Sequence, residues 1–82
     1  MQNSLLELQK VMTAKPVDPF SLVGVDGNAF SVIGYVVREC KKAGWTRQER
    51  ELYTTLAMSG SYEQLLNLSI AISTALPVTL ED

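Results

Sequence analysis

Residues 28–49 read NAFSVIGYVVRECKKAGWTRQE, and this string carries the signals that decide the fold. Asn28 is a favoured N-cap, because its short side-chain oxygen accepts an orphan N–H of the first helical turn. Behind it Phe30, Ile33, Val37 and Cys40 recur at helical spacing, while Val32, Tyr35 and Val36 supply a second face. Two apolar faces predict a helix with two packing partners. Arg38, Lys41 and Lys42 crowd its last turns, where cations suit the negative end of the helix dipole, and Gly44 stands in the C′ position. Thr46-Arg47-Gln48-Glu49 then spells a capping box, so the next helix starts at Arg47.

Working outward, Leu52, Tyr53 and Leu56 form the stripe of that next helix, which the Ser59-Gly60 break ends near Met58. Ser61 caps a further helix running from Tyr62 to about Ala75, ahead of Pro77. Its Leu65, Leu66, Leu68, Ile70 and Ile72 spread so widely around the axis that it is expected to be the central, nearly surrounded helix. Upstream, Leu5, Leu8 and Met12 mark a short helix from Ser4 to about Thr13. Pro16 and Pro19 make a connector, and Phe20 to Val25 reads as a short extended segment closed by the Asp26-Gly27 turn. Val78-Thr79-Leu80 is the one stretch available to pair with it. The fold class read from these signals is all-α: a compact helical domain in residues 16–82 with a three-helix core, an N-terminal helical arm in residues 1–15, and at most a minor two-stranded ribbon.

Composition narrows the function. The chain has 82 residues, 46% hydrophobic and 20% charged, which fits one small folded domain and not a disordered segment. Seven Lys plus Arg against nine Asp plus Glu give a net charge of −2, the opposite of the basic footprint of a dedicated nucleic-acid binder. With no His and the single Cys40, the chain holds no His/Cys zinc cluster, no Ser-His-Asp triad and no intrachain disulfide. Cys40, placed where a helix core takes a small apolar residue, reads as structural. Glu49 and Glu51, two apart on a helix, diverge and share no substrate proton. No enzyme and no cofactor are expected. The start of the chain lacks the basic and apolar pattern of a secretory signal, and no apolar run approaches the roughly 20 residues of a membrane span. The expected compartment is the cytoplasm.

Two strings stand out: Asp26-Gly27-Asn28-Ala29-Phe30 before a helix, and Gly60 with Tyr62, Leu65 and Leu66 about thirty residues later. On these, with Ile33-Gly34, Val37-Arg38 and Ala43-Gly44 between them, the chain resembles a family of short hypothetical proteins of bacteriophages, prophages and their bacterial hosts. The likeness covers roughly Ser21 to Ile70. It implies a compact phage-associated domain, acting in the host cytoplasm if phage-encoded, and the company such proteins keep includes inhibitors of host defence.

Two candidate sites follow from the residues. The Asp26-Gly27-Asn28 loop feeds a helix N-terminus, a place where backbone N–H groups bind anions. The competing and favoured reading is structural: Gly27 takes a positive φ, Asn28 caps, Asp26 bonds the turn, and Phe30, Gly60 and Tyr62 belong to the same framework. The second candidate is a basic patch of Arg38, Lys41, Lys42, Arg47 and Arg50, interleaved with Tyr35, Trp45 and Tyr53, where cations beside aromatic platforms suit a nucleotide, a single strand or an acidic protein surface. The competing reading is that Glu39, Glu49 and Glu51 dilute the patch and that helix ends attract cations in any case. The reading adopted is a noncatalytic interaction protein that occludes or sequesters a host component. The alternatives are a module sequestering a small nucleotide through Tyr35, Arg38 and Lys41, and last a nucleic-acid-binding accessory protein. The surplus of apolar surface on so small a chain also predicts a homo-oligomer, with the arm packed on a neighbouring subunit; the competing reading folds the arm back onto its own helices, which the connector from Ala14 to Ser21 is long enough to allow.

Overall fold

The computed structural model describes residues 4–74, and its last three helices begin at the capping residues Asn28, Thr46 and Ser61. The helices are α1 (Ser4–Ala14), α2 (Ala29–Lys42), α3 (Arg47–Ser59) and α4 (Tyr62–Ser73), an all-α arrangement with no strand among the described residues. α2 starts where Asn28 Oδ1 accepts the Phe30 N–H at 2.8 Å. Its far end closes as a Schellman motif, in which the Trp45 N–H donates to the Cys40 carbonyl at 3.1 Å and the Gly44 N–H to the Lys41 carbonyl at 3.0 Å. Gly44 makes that closure with φ +94°, a conformation a Cβ penalises. α3 opens on the complete capping box: the Glu49 N–H donates to Thr46 Oγ1 at 3.2 Å, and the Thr46 N–H donates to Glu49 Oε1 at 2.8 Å. Ser61 caps α4 by accepting the Gln64 N–H at 3.1 Å.

The centre of the bundle is α3 and not α4, which corrects the sequence expectation. α3 packs against each of the other helices, and its Tyr53 is the largest fully buried side chain. α4 lies against α2 and α3 with Leu65, Leu68 and Ile72 inward, while Ile70 remains 49% exposed. A wide apolar arc told of a helix rich in leucine and isoleucine, but not of one enclosed on every side.

The N-terminal helix is likewise no outlying arm. Leu8 is completely buried and Met12 nearly so, in one cluster with Val36, Tyr53 and Leu65. α1 packs on α3 of its own chain. What folds it back is the corner between α2 and α3: Trp45 Nε1 donates to the Lys15 carbonyl at 2.9 Å, and Lys15 Nζ reaches Glu49 Oε1 at 2.7 Å and the Gly44 carbonyl at 3.2 Å. Val17, between the two prolines, is buried in the same core.

The extended segment at Phe20 to Val25 is a turn. The Val25 N–H donates to the Leu22 carbonyl at 3.1 Å with Gly24 at φ +89°, the third position of a type II turn, which leaves Val23 91% exposed at its tip. The other half of the expected ribbon, Val78 to Leu80, lies outside the described residues. The Phe20 N–H instead donates to the Ser73 carbonyl at 3.0 Å, tying the connector to the end of α4.

Candidate functional site

The alternation of α2, α3 and α4 joins the end of α2 to the start of α3 at one end of the bundle, and the end of α3 to the start of α4 at the other. The basic patch forms at the first of these. Its aromatic members are not platforms. Trp45 is 3% exposed and spends its N–H on Lys15, Tyr53 is fully buried, and Tyr35 is half-buried with its ring edge on Phe20, centroids 5.5 Å apart. Two of the cations are taken by neighbouring carboxylates: Lys42 Nζ pairs with Glu39 Oε2 at 3.2 Å and Arg47 Nε with Glu51 Oε2 at 3.2 Å. Glu49 turns the other way, to Lys15, whose hydrogen bond together with that of the Thr46 N–H holds its carboxyl below the usual range. Arg38 and Lys41, exposed and one turn apart on α2, and half-buried Arg50 make no ion pair among the described residues.

At the opposite end the two distinctive strings meet. Tyr62 OH donates to the Gly27 carbonyl, joining the loop before α2 to the first residue of α4. The Asn28 N–H is held by Asp26 Oδ1 at 3.2 Å and the Phe30 N–H by Asn28 Oδ1, so the chain's own side chains take two of the N–H groups an anion would use there. Asn28 caps α2 and Asp26 bonds the turn as expected, but the expectation for Gly27 is corrected. Positive φ occurs at Gly24 and Gly44, and not at Gly27. Gly27 faces Tyr62, whose hydroxyl would lie 3.7 Å from an added Cβ, an ordinary contact. Gly60 differs: the end of the exposed Gln64 side chain lies over the place a Cβ would fill and would have to swing aside.

The cavities are modest. A cleft of about 110 Å³ among Pro16, Asp18, Glu39, Lys42 and Ala43 is far below the roughly 300 Å³ and more of small-molecule sites and carries two carboxylates. A wider, shallow dish of about 390 Å³ lies along Gln9, Lys10, Thr13 and Ala14 of α1. Burial pushes the Cys40 thiol up to about 12, with Glu39 adding to it, so no reactive thiolate is present. Among the described residues no group of three or more His, Cys, Asp or Glu is placed to hold a metal, and no helix is long and apolar enough to cross a membrane.

The structure adds what the sequence reading passed over. Met58 at the end of α3 and Tyr62 at the start of α4 are 54% and 45% exposed, and Phe30 at the start of α2 is 71% exposed. Met58 and Tyr62 flank the Ser59-Gly60 break, whose sequence signals only the end of one helix and the start of the next. No protein-family model, curated protein or solved structure matches the chain.

Proposed function

We propose that this chain is a noncatalytic, phage- or prophage-associated protein that works by binding and occluding a host protein, with the corner between α3 and α4 as its contact surface. The observation that carries the reading is the exposure of Met58 and Tyr62, four residues apart on either side of the Ser59-Gly60 corner. Methionine adapts to irregular partners and tyrosine is enriched where proteins meet. The hydrogen bond from Tyr62 to Gly27 braces that corner, so little conformational freedom would be lost on binding. The likeness of the D-G-N-A-F and G-x-Y-x-x-L-L strings to phage proteins supports the association with a host.

The nucleotide-sequestering alternative keeps Arg38 and Lys41 exposed, but its aromatic contact, Tyr35, is half-buried with its ring packed on Phe20. One experiment separates the two. Tagged wild-type chain and Met58→Lys are used to capture proteins from bacterial lysate, and the wild-type eluate is scanned for copurifying ultraviolet absorbance. A protein retained by wild type and lost with Met58→Lys supports the proposal. Equal retention by both chains removes the corner from it, and a bound nucleotide without a protein favours the alternative.

A further inference from the structure

Along the outer side of α2, Phe30, Gly34, Val37 and Lys41 follow at steps of four, three and four residues, the spacing of a seam between two helices. Arg38 stands one turn beyond Gly34 beside that line. The other sides of α2 are covered. Val32, Ile33, Val36 and Cys40 lie in the core, and the connector runs along a second side, touching Tyr35 through Phe20 and approaching Glu39, Lys42 and Ala43 with Pro16 and Asp18. The seam is left bare: Phe30, Gly34, Arg38 and Lys41 are exposed and Val37 is half-buried.

Gly34 is the informative residue. A Cβ there meets nothing within 4 Å, and its φ is not in the left-handed region, so nothing inside the subunit requires glycine. In mid-helix glycine lowers stability relative to alanine. Its use lies outside the subunit, where a missing side chain lets a second helix come close.

We propose that two copies of this chain pair through α2, antiparallel about a two-fold axis centred on the Gly34–Val37 region. Charge selects a second copy as the occupant. The seam is aromatic at its start, with the exposed carboxylate of Asp26 just before it, and cationic at its end. Antiparallel pairing sets each Phe30 ring against Arg38 and Lys41 of the other copy, a cation–π arrangement, and carries each Asp26 towards the other copy's Lys41. Val37 of each copy fills the space over Gly34 of the other. Parallel pairing would instead gather four cations, and the opposed helix dipoles also favour the antiparallel sense. A two-fold interface uses one patch twice, as this self-complementary one allows.

The inference does not depend on the host-protein reading, because it is tested on the purified chain alone. Sedimentation equilibrium of the full chain from low micromolar to millimolar concentration should show a monomer–dimer equilibrium. Gly34→Lys, which puts bulk and like charge on the seam, should weaken association by about tenfold or more. Its melting midpoint at monomeric concentration should rise, since glycine leaves a helix interior, and that rise shows that the variant folds. Phe30→Ala and the double variant Arg38→Glu, Lys41→Glu should weaken association as well. A wild-type chain that stays monomeric at millimolar concentration overturns the proposal, as does a dimer that Gly34→Lys leaves intact.

Discussion

Tyr53 shows how one residue couples burial to pH. Ser69 Oγ donates its single proton to the Leu65 carbonyl at 2.8 Å, so in the 2.6 Å contact between the two hydroxyls Tyr53 is the donor. Burial pushes its phenol up to about 12, and the nearby Cys40 thiol also to about 12. Both groups are neutral in the folded chain. Because both values are raised above the ordinary 10.0 and 9.0, the stability they contribute is full below pH 9 and is lost as pH rises towards 12. The denaturant midpoint should therefore hold to about pH 9 and fall above it, and the double variant Tyr53→Phe, Cys40→Ala should flatten that fall. At neutral pH Tyr53→Phe alone should cost about 0.5–1.5 kcal/mol, the net worth of one hydrogen bond. Glu49 has the opposite sign. Its lowered carboxyl gives stability present above the ordinary carboxylate value and lost as pH falls through the folded one, so Glu49→Gln should reduce the acid sensitivity of the midpoint. Tyr53 was legible as core from its stripe with Leu52 and Leu56. Its partner was not, because pairing Ser69 with it depends on how α4 is rotated against α3, and periodicity within one helix does not hold that information.

At the scale of elements, caps were readable because they are local chemistry. Asn28, Thr46 and Ser61 each accept the hydrogen bond their residue type promises, and Gly44 makes the closure expected of it. Thr46→Ala should cost about 0.5–2 kcal/mol, measured as the shift in denaturant midpoint. The glycines divide by backbone. Gly44→Ala should destabilise by about 1 kcal/mol or more because φ is +94°, whereas Gly27→Ala should change the midpoint little. The reading that placed positive φ at Gly27 had the right idea one turn too late: Gly24, inside the run taken as extended, makes the turn. Valines around Gly24 mimic a strand in composition, and only the partner strand decides whether such a run pairs. Among the candidate site residues, sequence found the exposed cations Arg38 and Lys41 but misjudged Trp45 as a surface platform. A tryptophan two residues before a helix is also the C″ residue of the preceding one, and here that role carries its ring into the core.

For the molecule as a whole, the question is whether α1 is an appendage or a wall of the core. Pro16 and Pro19 suggested a hinge with a separate arm beyond it. In this fold the connector is fastened at both ends, by Trp45 and Glu49 on Lys15 and by Phe20 on Ser73, with buried Val17 between them. A small domain has little stability to spare, and losing one wall of a single core is felt throughout it. Leu8, with no exposed surface, tests this most directly: Leu8→Ala should cost about 2–5 kcal/mol and lower one cooperative transition, not split it into two. A chain beginning at Val17 exposes the surface of α3 that α1 covers and should lose its melting transition altogether. If that shortened chain instead melted like the full one, α1 would be the separable arm that the prolines suggested. The same comparison bears on assembly. An arm used for pairing would leave a folded monomer when removed, whereas pairing through α2 is broken by Gly34→Lys with α1 in place and the subunit still folded.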